Sequence, residues 1–181
     1  MKFIAKILIL FLSISLLASC KSWNTQVDIT AEDKQAIQDE IQQLKDEIKN
    51  FVPPEEGVIA YRQFIALSQA YEKLGDLDSA IKVYKDVLDD GHKTKAIINN
   101  LGRLYEKVGE YDLAIEQYQR LVDEYLDRNY LYDITWAYIR SGNRKEAEKV
   151  FNAWQLEFRK TDEQIQQAIK KMREEEKAEE K

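Results

Sequence analysis

Along most of the chain, apolar residues recur every three or four positions among charged ones, the period of helices with one buried face. Ile37, Ile41, Leu44 and Ile48 form one such stripe and predict an amphipathic helix over residues 30–52. Thr30-Ala31-Glu32-Asp33 reads as its capping box, with Asp33 in place of the usual Glu, and Val52-Pro53-Pro54 as its stop. A stripe this narrow could pack on the rest of the chain, pair with a second copy as a short two-stranded coil, or serve as an arm for another protein. Near the C-terminus, Thr161-Asp162-Glu163-Gln164 reads as a second capping box, and Ile165, Ala168, Ile169 and Met172 follow on one face. This predicts a capping helix within residues 161–181, whose last eight residues are almost all charged and expected to be solvated. The beginning of the chain has a different pattern. Lys2 and Lys6 precede Ile7 to Leu17, an apolar run broken only by Ser13 and Ser15. It is short for a bilayer-spanning helix and has the make-up of a secretory signal.

Between these ends the pattern repeats. Gly75-Asp76-Leu77-Asp78-Ser79-Ala80-Ile81 is followed by Gly109-Glu110-Tyr111-Asp112-Leu113-Ala114-Ile115 and by Gly142-Asn143-Arg144-Lys145-Glu146-Ala147. The glycines stand 34 and 33 residues apart, and Tyr84, Tyr118 and Phe151 each follow their glycine by nine. A sustained period near 34 marks a helical solenoid, in which each hairpin buries its apolar face only against its neighbours. In each unit the glycine allows a tight turn, and the small Ala lets the second helix approach the first. Leu67, Ser68 and Tyr71, then Leu101, Gly102 and Tyr105, then Ile134, Thr135 and Tyr138 hold matching places in the first helices.

These positions resemble the tetratricopeptide repeat family in three copies, at about residues 61–94, 95–127 and 128–161, within an array of 58–160. The resemblance implies an all-α, right-handed, three-repeat solenoid between the N-terminal amphipathic helix and the C-terminal capping helix. The family's repeat-closing Pro is missing; His92, Leu126 and Arg159 stand there. In the family, first helices line a binding groove. Transferring those positions gives Arg62, Ile65, Gln69, Glu72 and Lys73, then Ala96, Asn99, Arg103, Glu106 and Lys107, then Asn129, Tyr132, Trp136, Ile139 and Arg140. The expected partner-binding residues are Ile65, Gln69, Asn99, Arg103, Tyr132, Trp136, Ile139 and Arg140. Tyr132, Trp136 and Ile139 share one helical face, which either anchors a partner or lies under a flanking helix. The carboxylate clamp of some chaperone-binding members is absent: its places hold Ile65, Gln69, Asn100, Asn129 and Asp133, of which only Asn100 matches.

Leu17-Ala18-Ser19-Cys20 resembles the lipobox of bacterial lipoproteins. That resemblance implies residues 1–19 as a cleaved signal peptide, a diacylglycerol on the Cys20 sulfur, an acylated new N-terminus, and residues 20–29 as a lipidated tether. Two or three acyl chains anchor a protein stably. Lys21 stands where enteric inner-membrane lipoproteins carry Asp, which favours the outer membrane, with the domain facing the periplasm.

Composition narrows the chemistry. The 181 residues carry 27 Lys and Arg against 33 Asp and Glu, a net charge of −6, which argues against nucleic-acid binding. One Cys and one His leave no plausible zinc site, and no His-Glu-x-x-His, phosphate loop or Gly-x-Ser-x-Gly appears. His92 reads as a solvated loop residue. No cofactor beyond the covalent lipid is expected, and no enzymatic activity. The reading is a membrane-anchored lipoprotein adaptor that holds a protein or peptide partner within an envelope assembly, of pilus, secretion or outer-membrane biogenesis type. The alternatives are a self-assembling spacer subunit, hence a homo-oligomer, and a binding accessory to a cell-wall enzyme.

Overall fold

The three glycines that set the sequence period also shape the turns. Gly75, Gly109 and Gly142 take φ of 78°, 82° and 81°. Each donates its N–H to the carbonyl three residues back, and the next residue donates to the carbonyl five back, all at 2.9–3.2 Å. This double bond satisfies two carbonyls that the helix end would leave unpaired. A residue with a Cβ would meet the left-handed penalty of about 1–2 kcal/mol there, which Gly avoids.

A computed structural model describes residues 29–52, 60–158 and 162–179. Among them the helices are α1 (Ala31–Lys49), α2 (Tyr61–Leu74), α3 (Leu77–Asp89), α4 (Lys95–Val108), α5 (Tyr111–Tyr125), α6 (Tyr130–Arg140), α7 (Arg144–Phe158) and α8 (Glu163–Glu179), and the described residues contain no strand. The chain divides into two compact units, Met1–Lys34 and Gln35–Lys181. Of the first, only residues 29–34 are described, so the expected signal sequence, Cys20 and the expected tether up to residue 28 lie outside the described residues. Here the Thr30 hydroxyl donates to Asp33 at 2.7 Å and accepts the Asp33 N–H at 3.1 Å, the capping box read from the sequence.

In the second unit the helices pair as α2 with α3, α4 with α5 and α6 with α7, and each pair packs on the next. Ala80, Ala114 and Ala147 are fully buried at the crossings, beside Tyr84, Tyr118 and Phe151. One core runs from Ala80 through Leu101, Leu104, Tyr118 and Leu121 to Ile134. Gly102 shows how close the approach is: a Cβ there would lie 2.8 Å from Cε1 of Tyr118. Its counterparts are the small, fully buried Ser68 and Thr135, whose hydroxyls donate to the Ala80 and Leu131 carbonyls. A buried hydroxyl without such a bond would destabilise the fold.

The ends differ from the sequence reading in detail. The α1 stripe does pack on the repeats: Ile41 is buried with Leu67 and Ala70, and Ile37, Leu44, Ile48 and Val83 pack around them. Burying one such Ile stabilises by about 2 kcal/mol. However, α1 stops at Lys49, short of the expected Val52: Asn50 still donates its N–H to the Asp46 carbonyl, four back, but Phe51 donates to Ile48, three back, so the last turn tightens and ends. At α8 the cap is Asp162, whose carboxylate accepts the Ile165 N–H at 3.0 Å; Thr161 lies outside the described residues. The helix then continues to Glu179, through residues expected to form a solvated tail, and Glu176 pairs with Arg144 at 2.8 Å. Of the three residues in place of the repeat-closing Pro, Leu126 takes φ 52°, His92 follows the left-handed Gly91, and Arg159 lies outside the described residues.

Candidate functional site

The facing sides of α2 and α4 leave an open groove of about 480 Å³. Gln69, Glu72 and Lys73 line it from α2, and Asn100, Arg103, Leu104 and Lys107 from α4. Their spacings of one and three residues put each set on one helical face. Tyr84 reaches it from α3, where its hydroxyl accepts from the Asn100 side chain at 3.3 Å. Burial raises the Tyr84 hydroxyl above its ordinary pKa, so it remains a neutral hydrogen-bonding group.

Charges along these first helices pair from one repeat to the next. Lys107 pairs with Glu72, Arg140 with Glu106, and Lys73 reaches back to Glu40 of α1 at 3.3 Å. The cations are exposed while Glu72 and Glu106 are partly buried, so each pair stays solvent-screened and contributes about 1 kcal/mol or less. They nevertheless occupy the cations. Among the described residues Arg103 makes no salt bridge, although it lies in the same groove and is exposed.

Between α4 and α6 the lining changes. The Tyr118 hydroxyl donates to Glu106 at 3.1 Å and its ring stacks on Tyr130 at 5.9 Å. Asp133 sits half-buried near Glu106. Burial first, and then the Glu106 charge, push its carboxyl up to about 6, while Arg140 and Arg103 oppose the shift.

The predicted partner-binding residues thus separate. Gln69 and Arg103 line the groove, while Ile65, half-buried against the central core, and Asn99, half-buried on α4, do not. Tyr132, Trp136 and Ile139 take the covered alternative. They pack against Phe151, Ile165 and Ile169, under α8. Asp162, the α8 cap, also accepts the Tyr132 hydroxyl at 3.0 Å. Of the two alternatives for this face, coverage by a flanking helix is the one the structure shows, and these three residues do not line the groove. Arg140 is exposed, paired with Glu106 and 5.8 Å from the Trp136 ring. Tyr84 and Asn100 were missing from the expected set. The signal for them was the choice of Tyr over Phe at the repeat's aromatic position, since a buried hydroxyl requires a partner. Among the described residues no group of three or more His, Cys, Asp and Glu could hold a metal ion, and no helix is long and apolar enough to cross a membrane.

The sequence profile described as Tetratricopeptide repeat matches residues 65–125 and again 99–164. The chain belongs to the tetratricopeptide repeat family. The two matches start 34 residues apart, the period of the glycines. A solved tetratricopeptide repeat protein from Parabacteroides merdae is similar, with a TM-score of 0.63 and 24% identity over 79% of this chain. The alignment spans 56% of that longer chain. The structure titled MamA MSR-1 C2 aligns with a TM-score of 0.55 and 18% identity, over 81% of this chain and 88% of that one. A putative kinesin light chain with nearly identical TPR-like repeats, from Podosopora anserina, aligns with a TM-score of 0.56 and 15% identity, over 78% and 86%. At these identities the likeness concerns the fold. No curated protein matches the chain. The tetratricopeptide fold supports a role in protein–protein interaction, and its members are generally non-catalytic scaffolds.

Proposed function

We propose that this tetratricopeptide repeat protein is a lipid-anchored adaptor of the bacterial cell envelope, which holds a segment of another protein in the groove between α2 and α4. The observation that carries the groove assignment is the contrast at Arg103: the neighbouring Lys73, Lys107 and Arg140 form salt bridges within the fold, and among the described residues Arg103 forms none. Gln69 and Asn100 add amides that can both donate to and accept from a peptide backbone. The anchor rests on Leu17-Ala18-Ser19-Cys20, with thioether-linked diacylglycerol and an N-terminal acyl chain on Cys20. A protein of net charge −6 gains little from anionic headgroups, so lipid would do the holding. Lys21 favours the outer membrane and a periplasmic domain.

Two measurements test the two halves separately. Cys20→Ser should move the protein from the membrane pellet to the soluble fraction, and full retention would remove the anchor. A photo-crosslinking residue at Gln69 should join the protein to a discrete envelope partner, while one at the exposed Lys85 of α3 should not. Equal crosslinking at both positions would remove the groove.

A further inference from the structure

We infer that α1 is a releasable strap which two copies of the chain can exchange, each α1 docking on the first repeat of the other. α1 is held far more lightly than α8. At the C-terminal end Ile165 and Ile169 are buried, Asp162 accepts the Tyr132 hydroxyl, Glu176 pairs with Arg144 and Glu148 with Arg173. Of the 19 residues of α1 only Ile41 is buried, while Ile37, Leu44 and Ile48 are half-buried. Among the described residues its polar ties to the repeats are the exposed Glu40–Lys73 pair and Lys45, which lies 5.6 Å from the centre of the Tyr71 ring. Few buried contacts and solvent-exposed ties are the marks of a unit that opens before the rest of a fold.

α1 also carries its own helical supports. Besides the Thr30–Asp33 capping box, Gln35 donates to Asp39, Gln42 to Asp46 and Gln43 to Glu47, each four residues on, at 2.9–3.2 Å. The face that its release uncovers is apolar: Leu67, Ala70, Tyr71 and Leu74 of α2 with Val83 of α3. Release therefore exposes two apolar surfaces at once, the stripe and its seat, and water disfavours both. A second copy offers the match to both, because its α1 and its first repeat carry the same residues in the same register. Exchange of an identical element is a low-cost route to a dimer. The eleven residues from Asn50 to Ala60, which join α1 to α2, span roughly 36 Å when extended, enough to reach a neighbouring copy. The other resting places fit less well. Six acids against three lysines give α1 a net charge of −3, which an anionic membrane surface repels. A coil of two α1 helices would cover the stripes and leave Leu67, Tyr71 and Leu74 bare.

The test uses the Cys20→Ser protein, in which an introduced cysteine is the only thiol. One batch carries Glu40→Cys and a second Lys73→Cys, positions whose side chains meet at 3.3 Å in the docked pair. Mixed and oxidised over a concentration series, they should form the 40–73 disulfide in about tenfold excess over 40–40 and 73–73, because docking raises the effective thiol concentration. Light scattering of the Cys20→Ser protein should show a dimer that grows with concentration, since a copy's own α1 wins in dilute solution. Asp39→Cys, exposed on the opposite face of α1, should not join Lys73→Cys. In hydrogen exchange the α1 amides should exchange at least about tenfold faster than those of α4 and α5. Protection of α1 equal to that of α4 would overturn the strap, and a monomer at every concentration with no 40–73 product would overturn the exchange. A dominant 40–40 product would assign α1 to a coil and overturn it too, as would equal joining from Asp39→Cys, the mark of random collision.

Discussion

The junctions at the two ends of the repeat array use the same positions for opposite purposes. In the first repeat the aromatic beside the helix crossing is Tyr84, and its hydroxyl meets Asn100 at an open groove. In the third repeat the same place holds Phe151, stacked 5.7 Å from Trp154 and packed with Ile165 and Ile169 of α8. Tyr118 in the second repeat is intermediate, with its hydroxyl on Glu106. A hydroxyl is retained where a polar partner is near, and it is absent where the repeat is sealed by apolar side chains. The repeat therefore provides a frame. The helices that flank the frame, and the polar atoms left along it, decide which junction can receive a ligand.

The largest expected effect tests the sealed end. Ile165 is fully buried between α8 and the third repeat, so Ile165→Ala should cost about 3 kcal/mol in urea unfolding. It should also move Trp136 emission to longer wavelength as water reaches the face beneath α8. Gln69→Ala, at the exposed lining of the open groove, should leave stability within about 0.5 kcal/mol. Equal costs at the two sites would end the distinction between a sealed junction and an open one.

The second test concerns the junction between α4 and α6, where Asp133 replaces the amides of the open groove. Its carboxyl is pushed up to about 6 from the ordinary 3.8, so the folded chain favours the protonated form. Relative to the acid form, stability is intact below about pH 4 and is lost as the pH rises through 6. A two-unit shift corresponds to about 3 kcal/mol, which solvent at this half-buried group reduces to about 1 kcal/mol. Asp133→Asn should therefore gain about 1 kcal/mol at pH 7 and almost nothing at pH 4. Glu106, Arg103, Arg140 and Tyr118 are the groups around it, so the same gain at both pH values would assign the effect to packing.

Much of this contrast was present in the sequence, though not all of it in readable form. The period of Gly75, Gly109 and Gly142 specified the hairpins, because only a repeated stack buries their apolar faces. The stripe from Ile37 to Ile48 identified the packing face of α1, while its end at Lys49, before Val52, has no periodic signature. Tyr132, Trp136 and Ile139 were legible as an apolar face. What covers that face depends on the approach of α8, a contact between residues about 30 apart that periodicity does not encode. Thr161 and Asp162 are both good N-caps, and local propensity does not choose between them. Arg103 was legible as a groove position, but its lack of a salt bridge emerged only once Lys73 and Lys107 had found their partners.

The smallest expected effect lies in the loop that joins the two junctions. After α3 the chain turns at Gly91, with φ 85°, two residues past the helix, whereas after α5 the left-handed residue is Leu126, directly past the helix, with φ 52° and 80% of its surface exposed. An L-residue with a Cβ costs about 1–2 kcal/mol in that region, while a Gly costs about 0.5–1 kcal/mol in unfolded-chain entropy. Because Leu126 buries little, almost no apolar stabilisation is lost with its side chain. Leu126→Gly should thus raise stability by about 0.5 kcal/mol, measurable as a small increase in the urea midpoint with an unchanged slope. Gly91→Leu should lower the midpoint, since Gly91 also takes positive φ, although its turn is bonded differently: Gly91 and His92 donate to the Leu88 and Val87 carbonyls, whereas Asp127 donates to Leu121. If Leu126→Gly were destabilising, the exposed leucine would be making contacts that matter to the loop.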